Sequence, residues 1–102
     1  MKQILRFCLL LLSLFSLGFA DIVLYSSQKC PYCRDVDLYL KNNHKSVKTK
    51  IIDDNQDVKN ELKAKGGKVQ VPCLIIDGYA LYGSVDIIGW MKTHPERLQD
   101  ES

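Results

Sequence analysis

A chain of 102 residues, 46% hydrophobic and 25% charged, holds at most one small domain. Its net charge of +2 is spread along the chain, with no basic tract dense enough for nucleic-acid binding. Once the cysteine of the N-terminal apolar run is set aside, three remain, too few for a disulfide-stapled scaffold.

The first 20 residues read as a secretory signal. Lys2 and Arg6 are followed by an apolar run from Phe7, and Gly18-Phe19-Ala20 puts small residues where a signal peptidase reads. Cleavage is expected after Ala20. An uncleaved anchor is the alternative, but Phe7 to Ala20 is 14 residues, short of the roughly 20 that span a bilayer. Cys8 opens the apolar run, is badly placed for a lipid anchor, and leaves with the signal. The remaining domain, residues 21–102, carries 12 basic and 12 acidic residues. It keeps three cysteines, Cys30, Cys33 and Cys73.

Ile22 to Tyr25 is a short continuous apolar run, as in a strand buried on both faces. From Pro31 to about Asn43, Val36, Tyr39 and Leu40 recur at helical spacing. Val47 to Ile52 reads as a second strand. Asn55 to Lys65 reads as a surface helix, ended by Gly66-Gly67 with a glycine in the left-handed cap. Asp53 and Asp54 are expected as its caps. Cys73–Ile76 and Tyr79–Tyr82 flank Asp77-Gly78, a strong hairpin signal. Ser84 sits where the N-cap of the last helix is expected. Ile87, Ile88 and Met91 mark that helix's core face, and Pro95 stops it. The polar tail from about residue 96 is expected to fray. The resulting order is β-α-β-α-β-β-α: an α/β fold with a four-stranded mixed sheet and helices on both faces.

The chemistry concentrates in Cys30-Pro31-Tyr32-Cys33, at a strand-to-helix junction. A sulfur at a helix N-terminus faces unpaired N–H groups and the positive end of the macrodipole, which favours thiolate over thiol. Pro31 suits the first helical turn, where its missing N–H is no loss. Lys29 adds a positive charge beside the first cysteine. Cys33, about one turn on, can close a small disulfide with Cys30. The competing readings are a structural disulfide and half of a metal site. A metal would need two more ligands, and His44 and His94 each stand alone as surface residues. Cys73 reads as a small buried strand residue, with a glutathionylation or dimer-disulfide site as the alternative. Trp90 and Tyr39 read as core.

These motifs, from Asp21 to about Thr93, resemble the glutaredoxin family of the thioredoxin fold. The four-residue motif is typical of its dithiol members. Val71-Pro72 matches the element whose proline is cis and faces the active-site cysteines. Ser84-Val85-Asp86 matches the segment that binds the γ-glutamyl end of glutathione. The stretch from Gly66 to Leu74, followed by Leu81-Tyr82-Gly83-Ser84, is also similar to the N-terminal domain of glutathione transferases, although no second helical domain follows it.

The resemblance implies a glutathione-dependent thiol–disulfide oxidoreductase that reduces protein disulfides and glutathione-mixed disulfides. Cys30 and Cys33 would be catalytic and form the redox-active disulfide. Lys29, Tyr32, Val71, Pro72, Ser84 and Asp86 would bind glutathione or substrate, and Lys68 would reach the glycyl carboxylate. Glutathione would be a co-substrate, with no bound cofactor or metal. The expected partners are glutathione and disulfide-containing or glutathionylated proteins. No nucleic acid is expected, nor a membrane after signal cleavage, and the chain is expected to be a monomer. Export points to the bacterial periplasm, with secretion or tethering if the signal is retained. The alternatives are a glutathione-independent periplasmic disulfide oxidase or isomerase, and a glutathione-ligated iron–sulfur carrier. The sequence departs from the family pattern at four places. Ser27 stands for a common lysine, Gln70 for threonine, Tyr82 for the first of two glycines, and Val85 for a commonly polar residue. All four fall on the glutathione side of the site.

Overall fold

The computed structural model describes residues 21–101. The expected signal, residues 1–20 with Cys8, lies outside the described residues. Among the described residues no helix is long and apolar enough to cross a membrane.

The core is built around one strand, β1 (Ile22–Ser26), whose five residues are all buried. It runs parallel to β3 (Lys48–Ile51) and antiparallel to β4 (Cys73–Ile76). β4 continues through a hairpin into the edge strand β5 (Tyr79–Tyr82), giving the sheet order β3-β1-β4-β5. Alternation along β1 sends Ile22 and Leu24 to one face and Val23 and Tyr25 to the other. Both faces are therefore apolar, and the strand reads as a continuous hydrophobic run rather than an alternating one.

Helices α1 (Pro31–Asn42) and α3 (Ser84–Thr93) cover the first face with Val36, Leu40, Ile87 and Met91. Helix α2 (Gln56–Gly66) covers the second, where Leu62 is fully buried against Val23, Tyr25, Cys73 and Ile75. The expected α/β architecture with helices on both faces is the one observed. At the hairpin, Asp77 and Gly78 both take positive φ, 50° and 87°. That is the combination a two-residue turn needs to match strand twist.

The expected second strand stands within its bounds as β3, and a further short strand, Lys45–Ser46 (β2), pairs not with the main sheet but with Gln99–Asp100 (β6). Other expectations do change. The tail is accordingly not frayed. Pro95–Arg97 forms a 3-10 turn, Leu98 is buried in the core, and the Glu101 N–H donates to the His44 carbonyl at 2.8 Å. One apolar residue among polar neighbours is enough to dock the segment. Asn55, not Asp53 or Asp54, caps α2, accepting from the Val58 N–H at 3.1 Å. Gly83, not Ser84, is the N-cap of α3, and Ser84 is its first helical, buried residue. His94 is half-buried, stacking on Trp90 with ring centroids 4.6 Å apart.

Under α2, the buried Tyr25 hydroxyl donates to Glu61 at 2.7 Å, and Lys50 Nζ donates to both Glu61 oxygens at 2.9 and 2.8 Å. Lys50 first, then Tyr25, holds the Glu61 carboxyl below its usual range. A depressed carboxyl stabilises the fold above its unfolded pKa of about 4.3, and that stabilisation is lost as pH falls through the folded value. Glu61→Gln keeps an acceptor for Tyr25 but removes the charge. It should lower stability by about 1 kcal/mol at pH 7 and not at all in strong acid. Denaturant midpoints measured across acid pH check this; an equal loss at every pH would assign Glu61 a role independent of its charge.

Candidate active site

Cys30 is the N-cap of α1, with extended backbone (φ −106°, ψ 121°) and no side chain capping the helix end. Its carbonyl accepts the Arg34 N–H at 3.2 Å, and Pro31 occupies the first turn as expected. The free N–H groups and the helix dipole therefore converge where its sulfur stands. Cys30 is partly exposed, and its thiol points at the Val71 carbonyl across 3.9 Å. Cys33 is 2% exposed. Burial pushes its thiol up, as does the Cys30 sulfur beside it, while a hydrogen bond from Ser26 and one from the Ser27 backbone pull it down. The two cysteines thus differ in the way a two-step exchange requires: one sulfur can be reached from outside, and its neighbour is held back.

The loop entering Cys30 is fixed from a distance. Ser27 Oγ donates to Asp53 at 2.6 Å, and the Gln28 N–H donates to the other Asp53 oxygen at 2.8 Å. The Lys29 N–H in turn donates to Ser27 Oγ at 3.1 Å. The Ser27 bond, followed by the Gln28 N–H, lowers the Asp53 carboxyl from its ordinary value. Ser27, which stands where the family commonly has lysine, is a structural anchor here. Asp53 was not among the expected site residues. Its partners lie 25 and 26 positions away, and no local pattern announces such a contact.

Beside the thiols, the Val71–Pro72 peptide is cis and α3 begins at Gly83. Between them lies a groove of about 310 Å³ lined by Tyr32, Val71, Pro72, Ser84 and Asp86, together with Gln70, Tyr82, Gly83 and Val85. Five of the six expected binding residues meet there. Lys29 is exposed on the 27–29 loop and does not line it. Tyr82, one of the groove's lining residues, is held by Lys68: its hydroxyl donates to the Lys68 carbonyl at 3.1 Å, and the Lys68 ammonium sits 4.5 Å from the ring centroid. The first turn of α3 has no side-chain cap and carries Asp86. It offers N–H donors to an anion and, beside them, a carboxylate to a cation. Cys73 lies in the core, fully buried, and burial pushes its thiol up. Among the described residues no cluster of three or more His, Cys, Asp or Glu is arranged to hold a metal.

The glutaredoxin family model matches residues 22–80, from β1 through the cysteine motif and the cis proline into β5. The chain belongs to the glutaredoxin family. A search of curated proteins finds no significant match. Among solved structures, a thioredoxin-like protein shares 23% identity, covering 72% of this chain and 97% of that one, with a TM-score of 0.59. Oxidized glutaredoxin 2 from Chlamydomonas reinhardtii shares 21%, covering 74% and 80%, with a TM-score of 0.57. A buckwheat glutaredoxin–glutathione complex shares 23%, covering 74% and 68%, with a TM-score of 0.54. At these identities the likeness speaks to the thioredoxin-like fold. For this glutaredoxin, family membership carries thiol–disulfide oxidoreductase chemistry as a general class.

Proposed function

We propose that this glutaredoxin is a dithiol oxidoreductase with glutathione as its co-substrate, acting on glutathione-mixed disulfides and protein disulfides. The observation that carries the reading is the partly exposed Cys30 sulfur beside a groove that gathers Tyr32, Val71, Pro72, Ser84 and Asp86. The Cys30 thiolate attacks the substrate disulfide, one sulfur bonds to Cys30, and the other leaves as a thiol. Cys33 then attacks Cys30 and releases a protein thiol, or a second glutathione removes a glutathionyl group. Val71 offers its backbone to an extended peptide. The γ-glutamyl end of glutathione carries both a carboxylate and an ammonium, which suits the N–H groups of the first turn of α3 next to Asp86.

The deciding assay is glutathione-dependent reduction of a small glutathione-mixed disulfide by the purified chain. Robust turnover supports the reading. No turnover from folded protein with titratable thiols would favour a glutathione-independent disulfide oxidoreductase.

Export is part of the proposal. Residues 1–20 have the composition of a signal, and an oxidising compartment would leave the cysteine pair oxidised unless glutathione or another donor reaches it. The intact mass of protein recovered from outside the cytoplasm should correspond to a chain beginning at Asp21. A mass that retains Met1 would overturn cleavage.

A further inference from the structure

Tyr82 stands where the family pattern has the first of two glycines. Its side chain lies over the last turn of α2. A Cβ built on Gly66 would overlap the Tyr82 hydroxyl and come within 3.3 Å of its Cζ. Gly66 is still helical, and the left-handed cap falls to Gly67. The missing side chain at Gly66 therefore serves the close approach of the ring. Beyond it, the hydroxyl donates to the Lys68 carbonyl at 3.1 Å, and the Lys68 ammonium stands 4.5 Å from the ring centroid. A cation in that place is attracted by the ring's quadrupole. Lys68 is thus held by its backbone and by its side chain at once.

Residues 67–72 join α2 to β4 with neither helix nor strand. The last three, Gln70, Val71 and Pro72, form one wall of the groove. A stretch without regular structure opens locally at little cost unless something ties it down. Here two consecutive residues do so. Tyr82 holds Lys68 near the start, and the Gly83 N–H donates to the Pro72 carbonyl at 3.1 Å at the end. The second tie is made by a main-chain group and asks nothing of the side chain. The first needs a tyrosine. Tyr82 is itself fixed, because the hairpin register pairs it with Cys73, the residue after Pro72.

We propose that Tyr82 is a positioning residue for substrate, clamping the start of this segment so that its Gln70–Val71–Pro72 wall is in place before an extended peptide enters the groove. This rests on the proposed pairing of substrate with the Val71 backbone. Tyr82 acts through Gly66 and Lys68 and needs no contact with the reacting sulfurs. A wall that is ordered only part of the time lowers apparent affinity by that fraction. The clamp therefore works on KM. Attack by Cys30 depends on the N-terminus of α1, and its thiol meets this wall at the Val71 carbonyl across a long 3.9 Å.

Two variants and two readouts test the clamp. Tyr82→Phe keeps the ring over Gly66 and removes the hydroxyl bond. KM for a glutathione-mixed disulfide should rise about fivefold, the loss expected of one hydrogen bond, with kcat changed less than about twofold. Gly66→Ala reaches the same clamp from outside the groove, since its methyl displaces the ring, and it should raise KM as well. In a Tyr82→Leu background the same alanine should change nothing further. The second readout is limited trypsinolysis followed by mass. Cleavage after Lys68 should be about fivefold faster in Tyr82→Phe, and cleavage after Lys92 in α3 should keep its rate. Unchanged KM in both variants, or equal acceleration at Lys68 and Lys92, would overturn the role of Tyr82. Absence of turnover in the unsubstituted chain would instead overturn the glutathione reading. The clamp would then stand or fall on the Lys68 cleavage and on KM for a protein disulfide.

Discussion

Cys30→Ser should reduce glutathione-dependent turnover to background, whereas Cys33→Ser should keep reduction of glutathione-mixed disulfides and lose reduction of protein disulfides by the dithiol route. The asymmetry follows from the site. Cys30 is the sulfur that combines exposure, an uncapped helix end and proximity to the groove. A serine oxygen there does not ionise near neutral pH and cannot form the disulfide on which both branches depend. Cys33 is buried, so it meets no external substrate directly. It is needed only where an internal thiol must release a partner that glutathione does not. Steady-state assays on the two substrate classes check this. Full activity of Cys30→Ser, or equal loss of both activities in Cys33→Ser, would contradict the assignment of roles.

Gly83→Ala should lower stability by about 1–3 kcal/mol and raise KM for a glutathione-mixed disulfide about tenfold, a loss equivalent to about 1.4 kcal/mol of binding. Gly83 holds φ 91° and ψ 144°, a conformation that side-chain-bearing residues avoid. A Cβ built there meets nothing within 4 Å, so the penalty lies in the backbone and not in crowding. Relief means rotating the peptides that flank Gly83, one through its N–H, which donates to the Pro72 carbonyl at 3.1 Å, and the other through its carbonyl, which accepts from the Ile87 N–H at 3.1 Å. That rotation swings the first turn of α3, with Ser84 and Asp86, away from the groove. Denaturation midpoints and KM are the readouts. A stability loss with KM unchanged would mean that the α3 N-terminus does not seat the γ-glutamyl group.

What the sequence disclosed and what it hid divide by distance along the chain. The cysteine motif with its proline, the Asp77-Gly78 turn and the Gly67 helix stop are each written within a few neighbouring residues, and each stands where expected. Resemblance to the family supplied the cis Val71–Pro72 bond and the grouping of Ser84 and Asp86 with it. The contacts that were missed are long-range. Asp53 holds Ser27 from 26 residues away, and Glu61 accepts from Tyr25 across 36. The Ser84 cap failed for a different reason. Serine is the better cap by type, but the turn out of β5 required a positive φ, and the adjacent glycine met that demand. Leu98 was overlooked because a single apolar residue has no periodicity to detect.

The docked tail also bears on the site from a distance. Leu98 is buried in the same cluster as Ile22, Val36, Leu40 and Met91, and β6 pairs with β2 in the segment that joins α1 to β3. Both cysteines sit at the N-terminal end of α1. Leu98→Ala would open a cavity against that helix at a cost of about 2–5 kcal/mol, so a change some sixty residues from the thiols in sequence would loosen the element that positions them.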